Sequence, residues 1–289
     1  MKGIVVVTAH SRADFLWACL HRLSIADGAK DYRYLIAIDR KHTADVQNVA
    51  YDFRNLSGLS VTIEHADHQY SGNSFNTLSA YRWAAQRTEG LVHLVEEDIF
   101  CGIGALKFHE AAHALSPTCF AVSAAADQNA PRIASDDREG VVMRTSYQSL
   151  SVSFRATILR NEVLPLATPQ YFANMVETLA ARFPNTAIAR SQAEQDGLIN
   201  RVLEERCRNG LPGMLYPVVP RAAHYGFHGY NRSGGRALTE GRIEDRGKRL
   251  LAMTAAELNE RADPSYRDIT PCDLDRAEPT PLVLRHAVI

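Results

Sequence analysis

Short apolar runs alternate along this chain with stretches whose apolar residues recur every three or four positions. Gly3–Ala9 and Tyr34–Ile38 are continuous and rich in Val and Ile, Leu59–Glu64 is a third run, and Leu91–Val95 a fourth, with Gly90 before it. Unbroken runs of this length suit strands buried on both faces of a parallel sheet. Helical spacing fills the gaps: Phe15, Cys19, Arg22 and Leu23 within 14–25, a segment opened by Thr43 that runs to Phe53, and Phe75, Leu78, Tyr81, Ala84 and Ala85 within 73–87. Ser11 or Asp14 is placed to cap the first helix. The order β-α-β-α-β-α-β, with short right-handed crossovers, predicts an α/β fold: a Rossmann-like, mainly parallel central sheet flanked by helices.

Three acids, Glu96-Glu97-Asp98, follow the fourth run without a break. A buried strand does not carry three adjacent carboxylates into the core, so they are expected where it ends and emerges. Packed like charges repel unless a cation neutralises them, and hard divalent cations take oxygen ligands beside substrate phosphates. In open α/β sheets ligands bind beyond the carboxyl ends of the strands. Three such ends are polar here: His10–Arg12, Asp39–His42 and Glu96–Asp98.

Beyond Cys101 the pattern predicts a helix over 103–115, a strand over 119–125, a polar loop from Ala126 to Arg144, a strand over 147–154 and a turn leading into a helix by residue 181. The loop carries Asp127 and Arg138 and is long enough to act as an acceptor lid. His109-Glu110-Ala111-Ala112-His113 matches the HExxH spacing, in which two histidines one turn apart share zinc. The continuation lacks a third His, so the two histidines are expected on the exposed face of a crossover helix. Ser191 and Glu194 form a capping-box pattern ahead of Leu198, Ile199, Val202 and Leu203, and Asp196 falls in that helix's first turn. A strand over 215–219 then leads into a Gly-rich segment with Arg221, His224, Tyr225 and His228, suited to close over a ligand. Arg232–Arg249 has a small basic excess, and the Pro-punctuated remainder reads as a strap or an ill-ordered end. The division expected is a main domain over 1–235 and a C-terminal extension over 236–289 packed on it.

Composition narrows the class without choosing the chemistry. The 289 residues are 46% hydrophobic and 22% charged, ordinary for a globular protein. With 32 basic against 33 acidic residues, no global field points to nucleic acid or membrane. Five scattered cysteines without a CxxC pair read as reduced thiols, and the opening apolar run is too short for a signal peptide or a span. A cytoplasmic protein that does not engage membranes is expected.

In this order the pieces resemble the GT-A glycosyltransferases, and most closely the N-acetylglucosaminyltransferase I-like family. The likeness runs over about residues 3–235. Val95-Glu96-Glu97-Asp98-Ile99 resembles the family's Val-Glu-Asp-Asp-Leu form of the DxD motif, with Glu97 in place of an Asp. The opening strand and turn with Arg12, and the strand end at Asp39, resemble its nucleotide-binding positions. The resemblance implies a metal-dependent, inverting enzyme using Mn²⁺ or Mg²⁺ and a nucleoside-diphosphate sugar, first a UDP-sugar. It assigns Asp98 to the metal, with His224 or His228 able to complete the shell. His10, Arg12, Asp39, Glu96, Glu97, Arg221 and Tyr225 fall to the donor and Asp196 to the catalytic base, while the lid loop has no counterpart in the family and its Asp127 and Arg138 are read as acceptor contacts from their place in that loop alone. The acceptor hydroxyl belongs to a glycan or, as a lesser option, to a hydroxymethylated DNA base. Two other classes stay open: a nucleotidyltransferase on a similar sheet, and a non-catalytic sugar-nucleotide-binding protein.

Overall fold

The computed structural model describes residues 1–66, 72–125, 137–184, 188–189, 192–224 and 281–285. In chain order the elements are β1 (Gly3–Ala9), α1 (Ala13–Ser24), β2 (Tyr32–Ile38), α2 (Ala44–Leu56), β3 (Ser60–His65), α3 (Asn73–Ala85), β4 (Leu91–Glu96), β5 (Ile99–Cys101), α4 (Ala105–Leu115), β6 (Val122–Ser123), β7 (Gly140–Arg144), β8 (Val152–Arg155), α5 (Ala156–Ile158, continued by a π turn), α6 (Pro169–Ala173), α7 (Met175–Arg182), α8 (Gln195–Arg208), β9 (Met214–Pro217), β10 (Ala222–His224) and β11 (Val283–Arg285).

One sheet has the order β11-β7-β9-β6-β8-β4-β1-β2-β3, and β5 pairs with β10 in a small second sheet. The expected parallel unit is present, with β2 and β4 flanking β1 and β3 outside β2, all parallel. Beyond β4 the sheet becomes mixed, because β8 runs antiparallel to both β4 and β6. The core divides by strand alternation. Val5, Val7, Tyr34 and Ile36 pack with Phe15 and Leu20 of α1, Val46 and Phe53 of α2, and Leu106 and Phe108 of α4. Ile4, Val6, Leu35, Val92 and Leu94 face the other way, onto Leu78 and Tyr81 of α3 and Leu198 and Ile199 of α8. Unbroken apolar strands follow from this arrangement, since both faces are covered. Among the described residues no helix is long and apolar enough to cross a membrane.

Several expectations change. Arg12 holds the N-cap position of α1 without a side-chain cap, in place of Ser11 or Asp14. Part of the polar loop is strand, because Gly140–Arg144 pairs antiparallel with β9. The strand expected over 147–154 begins only at Val152, since Ser151 sits at φ 44°, a left-handed turn that ends pairing. Glu194, not Ser191, is the residue that caps α8, and it makes no side-chain cap bond; Ser191 lies outside the described residues. The tail returns to the main sheet, where β11 pairs with β7, Leu282 is buried and Arg285 grips Asp137 at 2.8 and 3.0 Å. Arg232–Arg249 and the boundary at 235 lie outside the described residues.

The two histidines of α4 are buried rather than exposed. His109 Nδ1 and His113 Nε2 both hydrogen-bond Ser153 Oγ, at 2.8 and 2.9 Å, and His93 packs edge-on against His109. Glu110 turns away from them to accept from Tyr32 and Lys2. Burial, with mutual repulsion and the nearby Arg155 charge, pushes His93 and His113 down to about 3 and His109 well below its ordinary value. The folded chain therefore keeps these rings neutral, whereas the unfolded chain protonates them near 6.5. Stability present above that pH is lost as pH falls toward 3, at about 1.4 kcal/mol per pH unit for each histidine. Urea unfolding is expected to show a lower midpoint at about pH 5.5 than at about pH 7.5, and His93→Phe is expected to reduce the difference, with His109 and His113 keeping the rest. Equal midpoints for the wild type would contradict it.

Candidate functional site

Parallel register brings the carboxyl ends of β1 and β4 level, with Thr8 opposite Glu96 and the Glu97 N–H donating to the Thr8 carbonyl at 3.1 Å. The chain then turns through Glu97 and Asp98 and returns as β5. Glu97 and Asp98 are buried, at 3% and 4% exposure, so the acids do not simply emerge into water. Arg12, immediately beyond β1, makes this tolerable. Its Nε donates to Glu97 Oε1 at 2.7 Å and its Nη1 to Asp98 Oδ2 at 2.8 Å. The His10 backbone N–H donates to Glu97 Oε2 at 2.8 Å, which occupies the second oxygen of that carboxylate. A fork across two carboxylates is the geometry for which guanidinium is suited, and lysine is not.

His224 arrives from the opposite end of the chain. Strand β10 pairs antiparallel with β5, sets His224 opposite Ile99, and leaves His224 Nε2 3.1 Å from Asp98 Oδ2. Burial pushes Asp98 up, but the Arg12 charge and the His224 contact outweigh it and hold the carboxyl well below the usual range. Its other oxygen, Oδ1, is buried without a hydrogen-bond partner. An ionised carboxylate with one bare, buried oxygen is a standing acceptor for a cation or a donor group. For Glu97 burial wins, and the carboxyl is raised despite Arg12 and His10.

Glu96 turns the other way, toward Asn73 at the start of α3 and Asp196 at the start of α8. It is half-buried, and burial, reinforced by Asp98 and Asp196, pushes it up to about 8. The two helix starts are pinned together, since Ser74 Oγ donates to Gln195 Oε1 at 2.6 Å and accepts from the Gln195 N–H at 3.1 Å. Gly197 allows the turn before α8 to cross close by, for a Cβ there would lie 1.8 Å from the Gln192 carbonyl. Asp196 is open to water on one side while protein crowds the rest of it. That surrounding burial pushes its carboxyl up to about 6, against a hydrogen bond from Ser149 Oγ at 3.4 Å that lowers it.

The structure thus brings together His10 (through its main chain), Arg12, Glu97, Asp98 and His224, with Glu96 and Asp196 beside them. Asp39, at the end of β2, is buried, and its two oxygens accept from the Lys41 and Gly72 N–H groups at 2.9 and 3.0 Å. Those bonds shape the β2 end and the start of α3. Arg221 is buried just ahead of β10, donates to the Val219 and Arg138 carbonyls, and lies over the Phe108 ring at 4.8 Å. Asp127, Tyr225 and His228 lie outside the described residues. Asn73, Ser74 and Ser149 were not singled out from the sequence, since no local pattern marks polar residues that act on partners far along the chain.

No protein-family model and no curated protein matches the chain. Among solved structures, the galactosyltransferase LgtC in complex with donor and acceptor sugar analogues superposes with a TM-score of 0.52 at 11% identity, over 87% of this chain and 96% of that one. The mannosyltransferase PcManGT from Pyrobaculum calidifontis in complex with GDP-Man and Mn²⁺ gives 0.46 at 14% identity, over 87% of this chain and 68% of that one. Residues 1–349 of S. aureus TarS give 0.47 at 14% identity, over 82% and 77%. The central sheet and its flanking helices are those of the GT-A fold.

Proposed function

We propose that this chain transfers a sugar from a nucleoside-diphosphate sugar to an acceptor hydroxyl, with inversion, at the carboxyl end of β4. The observation that carries this reading is Asp98, held ionised with a bare buried oxygen, while Asp196, a carboxyl of much higher proton affinity, lies on the other side of Glu96, close enough to both for Glu96 to feel each charge. Two carboxyls pushed apart in this way suit one electrostatic and one proton-accepting role. A fold shared with a galactosyltransferase that holds donor and acceptor sugar analogues supports it, and the N-acetylglucosaminyltransferase I-like assignment rests on the Val95–Ile99 motif.

Asp98 Oδ1 would hold Mn²⁺ or Mg²⁺, and the bound cation supplies charge neutralisation for the departing diphosphate. Arg12 fixes both carboxylates, and His224 steadies Asp98 through the oxygen it shares with Arg12, Oδ2. Glu97 has both oxygens engaged by Arg12 and His10, so the contact to the donor sugar passes to Glu96, which is half-buried and lies toward Asn73 and Asp196. Asp196 takes the proton from the acceptor hydroxyl as that oxygen attacks the anomeric carbon, the base role open to a carboxylate near its own pKa.

A panel of nucleotide sugars, assayed for release of nucleoside diphosphate with Mn²⁺ or Mg²⁺, tests the reading. Release from one donor, abolished by chelation with EDTA, is expected. Silence toward every donor, with no thermal shift from any nucleoside diphosphate, would sink it.

A further inference from the structure

The carboxylate pair at the end of β4 offers far less to a metal than its composition suggests. Of the four oxygens of Glu97 and Asp98, Arg12 takes one on each, the His10 N–H takes the second of Glu97, and His224 shares the Asp98 oxygen already bound by Arg12. One oxygen is left, Asp98 Oδ1. Glu96 faces Asn73 and Asp196 instead. Among the described residues no group of three or more His, Cys, Asp or Glu could hold a metal ion. Divalent Mg²⁺ and ions like it want about six oxygens in near-octahedral array and are held poorly by a single carboxylate. The Arg12 cation also lies 2.8 Å from the same carboxylate and repels a second positive charge.

We infer that Arg12 is a built-in counter-cation that blocks uptake of the metal alone, so that the divalent ion enters only together with a nucleoside diphosphate. The diphosphate supplies the missing oxygens and the missing negative charge, and Asp98 Oδ1 adds the one protein ligand that fixes the complex in register. Arg12 is then a positioning residue, which holds Glu97 and Asp98 side by side through its Nε and Nη1 while the site is empty of donor. This inference rests on the glycosyltransferase reading.

The test is a binding cycle on the full chain, by calorimetry and by loss of the free Mn²⁺ resonance signal, with MnCl₂, UDP and GDP as probes. Mn²⁺ alone is expected to bind weakly and to tighten at least about tenfold when UDP or GDP is saturating, and by linkage the nucleotide must tighten by the same factor when Mn²⁺ is present. Arg12→Met is expected to bind Mn²⁺ alone at least about tenfold tighter than wild type and to lose most of the coupling, while Arg12→Lys, which keeps the charge, retains it. Circular dichroism reports whether each variant is folded, and a folded Arg12→Met with wild-type Mn²⁺ affinity and wild-type coupling would overturn the role given to Arg12. Equal Mn²⁺ affinity with and without nucleotide would overturn the inference while leaving the enzyme reading intact. No binding of Mn²⁺ or nucleotide in any combination would overturn both.

Discussion

Asp98→Ala is expected to lower donor turnover about 10²–10³-fold, the loss typical when one fixed group that stabilises developing charge is removed. The substitution deletes the one bare oxygen in the cluster and leaves Arg12 Nη1 and His224 Nε2 facing an empty space. Asp98→Asn separates the two effects. An amide keeps the size of the carboxylate and an oxygen for Arg12, but it lacks the charge that binds a cation, so the same loss of turnover is expected with less structural disturbance.

The stability cost of the two variants is expected to be smaller than the kinetic one. Removing one partner of a buried ion pair costs about 3–5 kcal/mol when it strands the other charge. Here Arg12 keeps Glu97 at 2.7 Å and about a quarter of its side chain in solvent, so the cost is expected below that range. Nucleoside diphosphate release and urea unfolding, measured on the same samples, separate the two quantities. Wild-type turnover in Asp98→Asn would remove Asp98 from the mechanism.

The sheet could be read from the sequence where its signal was local. Unbroken apolar runs marked β1 to β4, and the 3.6-residue period marked α1, α3 and α8, with Thr43 announcing α2, because one strand face, helix face or cap is enough to show each pattern. Burial of Glu97 and Asp98 could not be read, since it depends on Arg12 85 and 86 residues away. His224 was expected in a flexible Gly-rich segment, yet three residues pairing with β5 are enough to aim it at Asp98. A short strand has no periodicity of its own, which also hid β7 inside the polar loop and β11 inside the tail. His109 and His113 were placed on the wrong face for a related reason: their partner, Ser153, lies in a strand 40 or more residues on. Asp196 was legible as a first-turn carboxylate, but Ser149, which tunes it, is 47 residues distant.

That tuning sets the second large effect. A base must be ionised to accept a proton, and surrounding burial raises Asp196 to about 6. Turnover, measured with an acceptor or with water in its place, is expected to fall as pH drops below that value and to level off above it. Asp196→Asn is expected to cost about 10²–10⁴-fold in kcat and to abolish the acid limb. Ser149→Ala removes a hydrogen bond that lowers Asp196, so the limb is expected to move to higher pH with the plateau retained. Stability moves in the opposite sense. A carboxyl raised on folding stabilises most below its unfolded pKa, and that contribution fades as pH rises through about 6. Asp196 is exposed, so solvent screens most of this effect, and Asp196→Asn is expected to unfold about as easily as wild type. Loss of turnover without loss of stability is what a group kept for chemistry produces. Glu96, raised to about 8 and within electrostatic reach of Asp196, is the rival. An acid limb near 8 that survives Asp196→Asn and disappears in Glu96→Gln would transfer the base role to Glu96.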